Sequence, residues 1–118
     1  VGKTDRRILI IRHPDDPFEN APYVIHVLAG QWRNRGIQVE ISSQVRRRVD
    51  GDVVVIPHLD LTRTPVEHQA FFAACPVVIN RGVTDISKRR ISGNLVGRTD
   101  VYDGPVIVKT DRNAGGDP

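Results

Sequence analysis

Apolar positions fall along the chain in short blocks whose spacing alternates between strand and helix. The run Arg7-Ile8-Leu9-Ile10-Ile11-Arg12 is rich in β-branched residues and stops at the turn-forming His13-Pro14-Asp15-Asp16-Pro17, which predicts a buried first strand and then a loop. Over residues 21–35, Val24, Val27, Leu28 and Trp32 recur on one helical face, with Pro22 suited to a first turn and Gly36 to a C-terminal stop. Ile37-Gln38-Val39-Glu40-Ile41 alternates with period two, as a strand near a sheet edge does. A connection over 42–51, with room for a short helix, leads to Asp52-Val53-Val54-Val55-Ile56, a continuous apolar run that predicts a central strand covered on both faces. Thr64-Pro65-Val66-Glu67 reads as a capping box with Thr64 at the N-cap, opening a helix to about residue 74, and Pro76-Val77-Val78-Ile79 gives a fourth strand. Residues 83–91 read as a short polar helix, 92–104 as a glycine-containing loop, and Pro105-Val106-Ile107-Val108 as one more strand.

Apolar strands separated by helical connections imply parallel pairing through crossovers. The expected fold class is therefore α/β: a mostly parallel open sheet with helices on both faces, Rossmann-like in general plan. Composition agrees. The chain has 118 residues, 39% hydrophobic and 26% charged, and no apolar run approaches the roughly 20 residues that span a bilayer, so a globular chain with no membrane partner is expected. The single Cys75 sits in an apolar stretch with no second thiol, which suits packing in a core and a reducing, cytoplasmic setting. The composition leaves assembly into a homo-oligomer open.

The net charge of +3 is a weak pointer to anionic partners. The densest basic run, Arg46-Arg47-Arg48, comes without RNA-binding aromatic signatures or zinc-finger spacing, so a solvated face is expected and nucleic acid is not. The basic ratio is more informative: 14 residues are arginine and three are lysine, Lys3, Lys88 and Lys109. Lysine offers a compact point charge where arginine imposes a planar fork, so its sparing use draws the eye to phosphate-type contacts. Gly2-Lys3-Thr4 has the ending of a P-loop but neither its upstream glycine nor its strand, and is set aside.

Polar clusters follow three of the strands: His13, Asp15 and Asp16 after the first, His58, Asp60 and Thr62 after the third, and Asn80 and Arg81 after the fourth. In an open parallel sheet these are carboxyl ends, where ligands bind, so His13, Asp15, His58, Asp60, Asn80 and Arg81 are the candidate substrate contacts. Beside a proline, His and Asp also cap turns, and each residue singly has that plainer reading. Ligand type alone would allow a metal at His13 and His58, but the spacing matches no zinc or calcium pattern, and no metal ligand is assigned. His26 and His68 fall inside predicted helices and read as solvated or packed.

The last constellation is Asp85-Ile86-Ser87-Lys88 on a short helix, a loop, then Gly104-Pro105-Val106-Ile107-Val108-Lys109 and the glycine-containing Asp111-Arg112-Asn113-Ala114-Gly115-Gly116. These residues resemble the entry to the ATP-grasp fold. The resemblance implies that Lys88 and Lys109 contact ATP phosphates, with Gly115 and Gly116 in a covering loop. It divides the chain into a pre-ATP-grasp-like α/β domain, 1–82, and the connecting helix, loop and first strand of an incomplete ATP-grasp domain, 83–118. The implied activity of an intact protein is ATP-dependent ligation of a small-molecule carboxylate to an amine or related nucleophile through an acylphosphate, with ATP and Mg²⁺ as cofactors and the metal ligands expected downstream of this chain. The fragment alone is expected to be inactive, and no catalytic residue within it is assigned. The loop over 111–116 departs from the serine-rich form of many such ligases, and the adenine-binding linker and late acidic and asparagine magnesium ligands are missing. A non-enzymatic flavodoxin- or Rossmann-like module binding a small ligand or a protein at the same strand ends stays open. So does the N-terminal half of a nucleotide-sugar transferase, which leaves residues 105–109 without a role.

Overall fold

The computed structural model describes residues 6–45, 47–91, 93, 95–97, 100–109 and 111. Four strands and three helices follow in the order β1 (Arg7–Arg12), α1 (Val24–Asn34), β2 (Gln38–Ser42), β3 (Val53–His58), α2 (Val66–Ala74), β4 (Val77–Val78) and α3 (Lys88–Ile91), with one 3₁₀ turn at Phe18–Asn20. The strands form a single parallel sheet in the order β2-β1-β3-β4. The expected α/β class with a parallel sheet is thus present, β2 lies at an edge and β3 is internal.

Strand alternation explains how the sheet is covered on both sides. Leu9 and Ile11 of β1 join Val53 and Val55 of β3 under Phe71, Phe72 and Cys75 from α2 and its C-terminal end. Ile10 faces the opposite way and packs with Phe18, Ile25 and Ala29, so α1 closes the other face. Ile10, Ile11 and Val55 are fully buried, and each such side chain contributes on the order of 1.5–3 kcal/mol by leaving water. The β2–β3 connection contains no helix among the described residues; Val45 and Val49 from it pack on the α2 side instead. Because β2 lies on one side of β1 and β3 on the other, the strand order reverses between β1 and β3, which stay paired through Arg12 and His58 at their carboxyl ends.

Helix α1 starts later than its proline suggested, with Tyr23 at the N-cap, and ends in a Schellman arrangement: Gly36 N–H bonds to Arg33 O and Ile37 N–H to Trp32 O, both at 3.0 Å. Gly36 has φ +85°, a conformation that suits glycine. The expected capping box at Thr64 is corrected. Pro65 is the N-cap of α2 and offers no side-chain acceptor, and the Thr64 N–H that Glu67 would reach in a capping box is taken by Thr84 O at 2.8 Å. The same pairing corrects the expected helix over 83–91. Ile86 N–H bonds to Thr62 O at 2.8 Å and Arg63 pairs with Asp85 in an antiparallel bridge, so 84–86 runs extended beside 62–64 and only Lys88–Ile91 is helical. Asp85 secures this corner; the backbone N–H of Ser87 first, then the Arg63 guanidinium, hold its carboxyl below the usual carboxylate range.

The expected strand at 105–108 joins no sheet among the described residues. Val106, Ile107 and Val108 are 59%, 82% and 91% exposed, and all of 100–109 faces solvent. The Cα radius of gyration, 18.0 Å, accordingly exceeds the roughly 13–14 Å of a compact chain this long. No described helix is long and apolar enough to cross a membrane.

Candidate functional site

Near the carboxyl ends of β1 and β3 the four histidines of the chain form two groups, His26 and His58 against Phe18 and Tyr23, and His13 against His68. Alternation sorts them onto two sides. On the α1 side, the rings of Phe18, Tyr23, His26 and His58 pack together, Tyr23 stacked on His26 and the other pairs edge on or tilted, with Tyr23 and His58 centroids 4.6 Å apart. His26 Nε2 lies 2.7 Å from Phe18 O and carries the proton there, since a carbonyl only accepts. On the α2 side, His13 stacks on His68 at 5.8 Å between centroids.

Tyr23 ties these elements together. Its hydroxyl lies 2.9 Å from Asp16 Oδ1 and 3.0 Å from Asp60 Oδ2, joining the loop after β1 to the loop after β3. Burial, followed by the hydrogen bonds to Asp16 and Asp60, pushes the phenol well above its ordinary ionisation range. Asp60 reaches its place through a left-handed backbone, φ +55°, which Asp tolerates better than most residues. Asp16 Oδ2 and His58 Nδ1 are buried and have no hydrogen-bond partner.

Below Tyr23 an open cleft of about 340 Å³ runs between the β3 end and the extended 83–86 segment; Tyr23, His58, Asp60, Thr62, Val83 and Ile86 are among its walls. That volume is at the lower end of small-molecule sites. A smaller space of about 160 Å³ adjoins it, sharing Pro57, Thr64, Val83 and Thr84 and bounded further by Asn80 and Arg81. The amino edge has a cleft of about 270 Å³ lined by Arg7, Arg47 and Arg48 among others, in which Arg7 pairs with Asp50 and Asp52 and Arg47 with Glu40.

The candidate residues separate accordingly. His58 and Asp60 line the main cleft. His13 is half-buried; its Nδ1 accepts from Asp15 N–H at 3.1 Å, while the Asp15 side chain stands in solvent 3.9 Å from the same ring. Asn80 occupies a left-handed turn, φ +55°, beside the smaller space. Arg81 donates to Cys75 O and Pro76 O, gripping its own loop. Lys88 opens α3, two positions after Ile86 of the cleft wall, and Lys109 ends the exposed run over 105–109. Gly115 and Gly116 lie outside the described residues. Among the described residues no group of three or more His, Cys, Asp and Glu side chains is arranged to hold a metal ion.

Two residues central to this arrangement were not among the sequence candidates. Tyr23 lies inside the helix expected over 21–35, and only the fold places it as N-cap ahead of α1. His68, 4% exposed, is the packed histidine expected inside a helix, yet neither ring nitrogen has a hydrogen-bond partner. Burial, then neighbouring His13, lowers its pKa. Cys75 is buried as expected; burial pushes its thiol up, which makes it a poor nucleophile. Comparison with protein-family models, curated proteins and solved structures returned no match.

Proposed function

We propose that this chain supplies the substrate-side α/β layer of an ATP-dependent carboxylate–amine ligase of the ATP-grasp kind, with the cleft at the β1 and β3 ends holding a co-substrate. The observation that carries this reading is the separation of residues 105–109 from the sheet. Val106, Ile107 and Val108 make an apolar, β-branched run, and they stand exposed although the β4 edge is open to pairing, with Val77 and Ile79 41% and 46% exposed. Such a run has strand composition and no partner strand among the described residues. In this reading it belongs to a second, nucleotide-binding sheet whose other strands come from outside these 118 residues.

Lys109, exposed at the end of that run, and Lys88, at the start of α3, are the cations that would meet ATP phosphates; both are of a type that suits phosphate oxygens. ATP would supply the phosphoryl group that activates a carboxylate. The described residues do not fit the magnesium such a reaction uses, since no three potential ligands converge. Its ligands would accompany the second sheet.

A second reading has its own support. The cleft is built wholly from residues 23–86, so the α/β layer could act alone as a small-ligand-binding module. The two separate in one assay. Protein carrying the complete second sheet is expected to release ADP only when both a carboxylate and an amine are present, and to yield a hydroxamate when hydroxylamine replaces the amine. Ligand binding in the cleft with no ATP turnover would favour the module.

A further inference from the structure

The loop after β4 carries a cation with no anion beside it. Arg81 Nη2 donates to Cys75 O and, at 3.1 Å, to Pro76 O, both at the C-terminal end of α2. A guanidinium has five N–H donors in one plane, so these contacts fix its orientation and leave Nε and Nη1 without a partner among the described residues. Arg7, Arg12, Arg47 and Arg63 each pair with a carboxylate, whereas no carboxylate pairs with Arg81.

Arg81 lines the space of about 160 Å³ that adjoins the main cleft, and among the described lining residues it is the one charged group. Asn80 and Thr84 add polar groups to the same walls, and Pro57, Phe72 and Val83 add apolar surface. Backbone bonds hold these walls in place before any ligand arrives: Val83 N–H reaches Asn80 O at 2.9 Å, and Thr64 N–H reaches Thr84 O at 2.8 Å.

Charge and size select the ligand. One guanidinium balances a monoanion, and its planar fork matches the two oxygens of a carboxylate. A phosphate dianion would bring a second charge that nothing in this space meets, and a neutral amide would leave the guanidinium unpaired. Val83 and Thr84 are walls of both spaces, so the carbon chain of a short acid has a continuous path from Arg81 toward Ile86 in the larger cleft.

We propose that this space is a carboxylate subsite, in which Arg81 holds the carboxylate of a small organic acid, the Asn80 amide lies beside it, and the carbon chain passes over Val83 into the larger cleft. This rests on the reading of the strand-end cleft as the co-substrate site and is independent of ATP.

The test is a titration of the ¹⁵N-labelled 118-residue chain with n-butyrate, butyramide and inorganic phosphate, followed by NMR. Butyrate is expected to move the amide resonances of Asn80, Arg81 and Thr84 saturably, and the amide and phosphate are not. Arg81→Lys keeps the charge without the fork and should weaken butyrate severalfold, and Arg81→Gln, which removes both, should weaken it about tenfold or more. Because Arg81 also grips its own loop, Asn80→Gly serves as a second variant: glycine accepts the φ of +55° there, so the turn is kept while the side-chain amide is lost, and butyrate should weaken severalfold. An equal or larger response to butyramide or phosphate, or full butyrate affinity in a folded Arg81→Gln or in both Arg81→Lys and Asn80→Gly, overturns the carboxylate assignment while leaving a ligand site. A response confined to Asp60 and Ile86 of the larger cleft overturns the subsite and leaves the cleft. No response to any of the three probes in either space overturns the cleft reading as well.

Discussion

The phenol oxygen of Tyr23 and the Asp60 carboxylate meet 3.0 Å apart although 37 positions separate them in the sequence. The contact fastens the N-terminus of α1 to the loop after β3 across the point where the sheet changes direction, and Asp16 shares the same hydroxyl. Replacing Tyr23 by Phe keeps the ring and removes the proton donor, leaving a part-buried carboxylate without it. The expected loss is about 1–2 kcal/mol in urea unfolding.

The same tyrosine sets an alkaline limit. Its folded pKa is raised, by burial first, so the neutral phenol is favoured in the folded chain. That contribution is fully present below the unfolded value of about 10 and is lost as pH rises toward the folded value. Spectrophotometric titration should show one phenol ionising above the ordinary range, and Tyr23→Phe should remove it.

His68 sets an acid limit of opposite sign. Its folded pKa is lowered by burial and by His13, so the unfolded chain takes up the proton first. Stability on this account is full above about 6.5 and falls as pH drops through that value toward the folded pKa, below which the loss levels off. His68→Leu removes two buried ring nitrogens that lack partners. The variant should lose less stability than the wild type between pH 7 and 5.

Ile10 and Ile107 should respond in opposite ways to truncation. Ile10 is fully buried between β1 and α1, and Ile10→Ala is expected to cost about 2–5 kcal/mol. Ile107 is 82% exposed, and Ile107→Ala in this 118-residue chain should stay within about 0.5 kcal/mol of wild type. A large cost at Ile107 would show that the 105–109 run packs somewhere in this domain.

Gly36 closes α1 at φ +85°, where a side chain is strained. Gly36→Ala should cost roughly 1–2 kcal/mol, read as a lower unfolding midpoint with unchanged denaturant sensitivity.

What the sequence made legible follows from which signals are local. The limits of β1 were visible because four apolar residues, Ile8 to Ile11, run between two arginines up to a proline turn, and β3 was visible as internal because both of its faces are apolar. Pairing decided by distant chain was not visible. Thr64 looks like an N-cap until its N–H is claimed by Thr84, and residues 83–87 look helical until Ile86 bonds back to Thr62. Residues 105–108 have strand composition, and composition says nothing of whether a partner edge is in reach. His58 and Asp60, marked in the sequence by position at a strand end, line the main cleft. Tyr23 was missed because its role depends on two carboxylates, one seven and the other 37 positions away.

The central claim, that residues 105–109 are the first strand of an ATP site, is tested most directly by calorimetric titration of ATP–Mg²⁺ into the native full-length protein and its Lys109→Ala variant. The account predicts that the wild type binds and that Lys109→Ala weakens binding about tenfold or more with its unfolding midpoint unchanged. Equal affinity in the two proteins, or no binding to either, would contradict it.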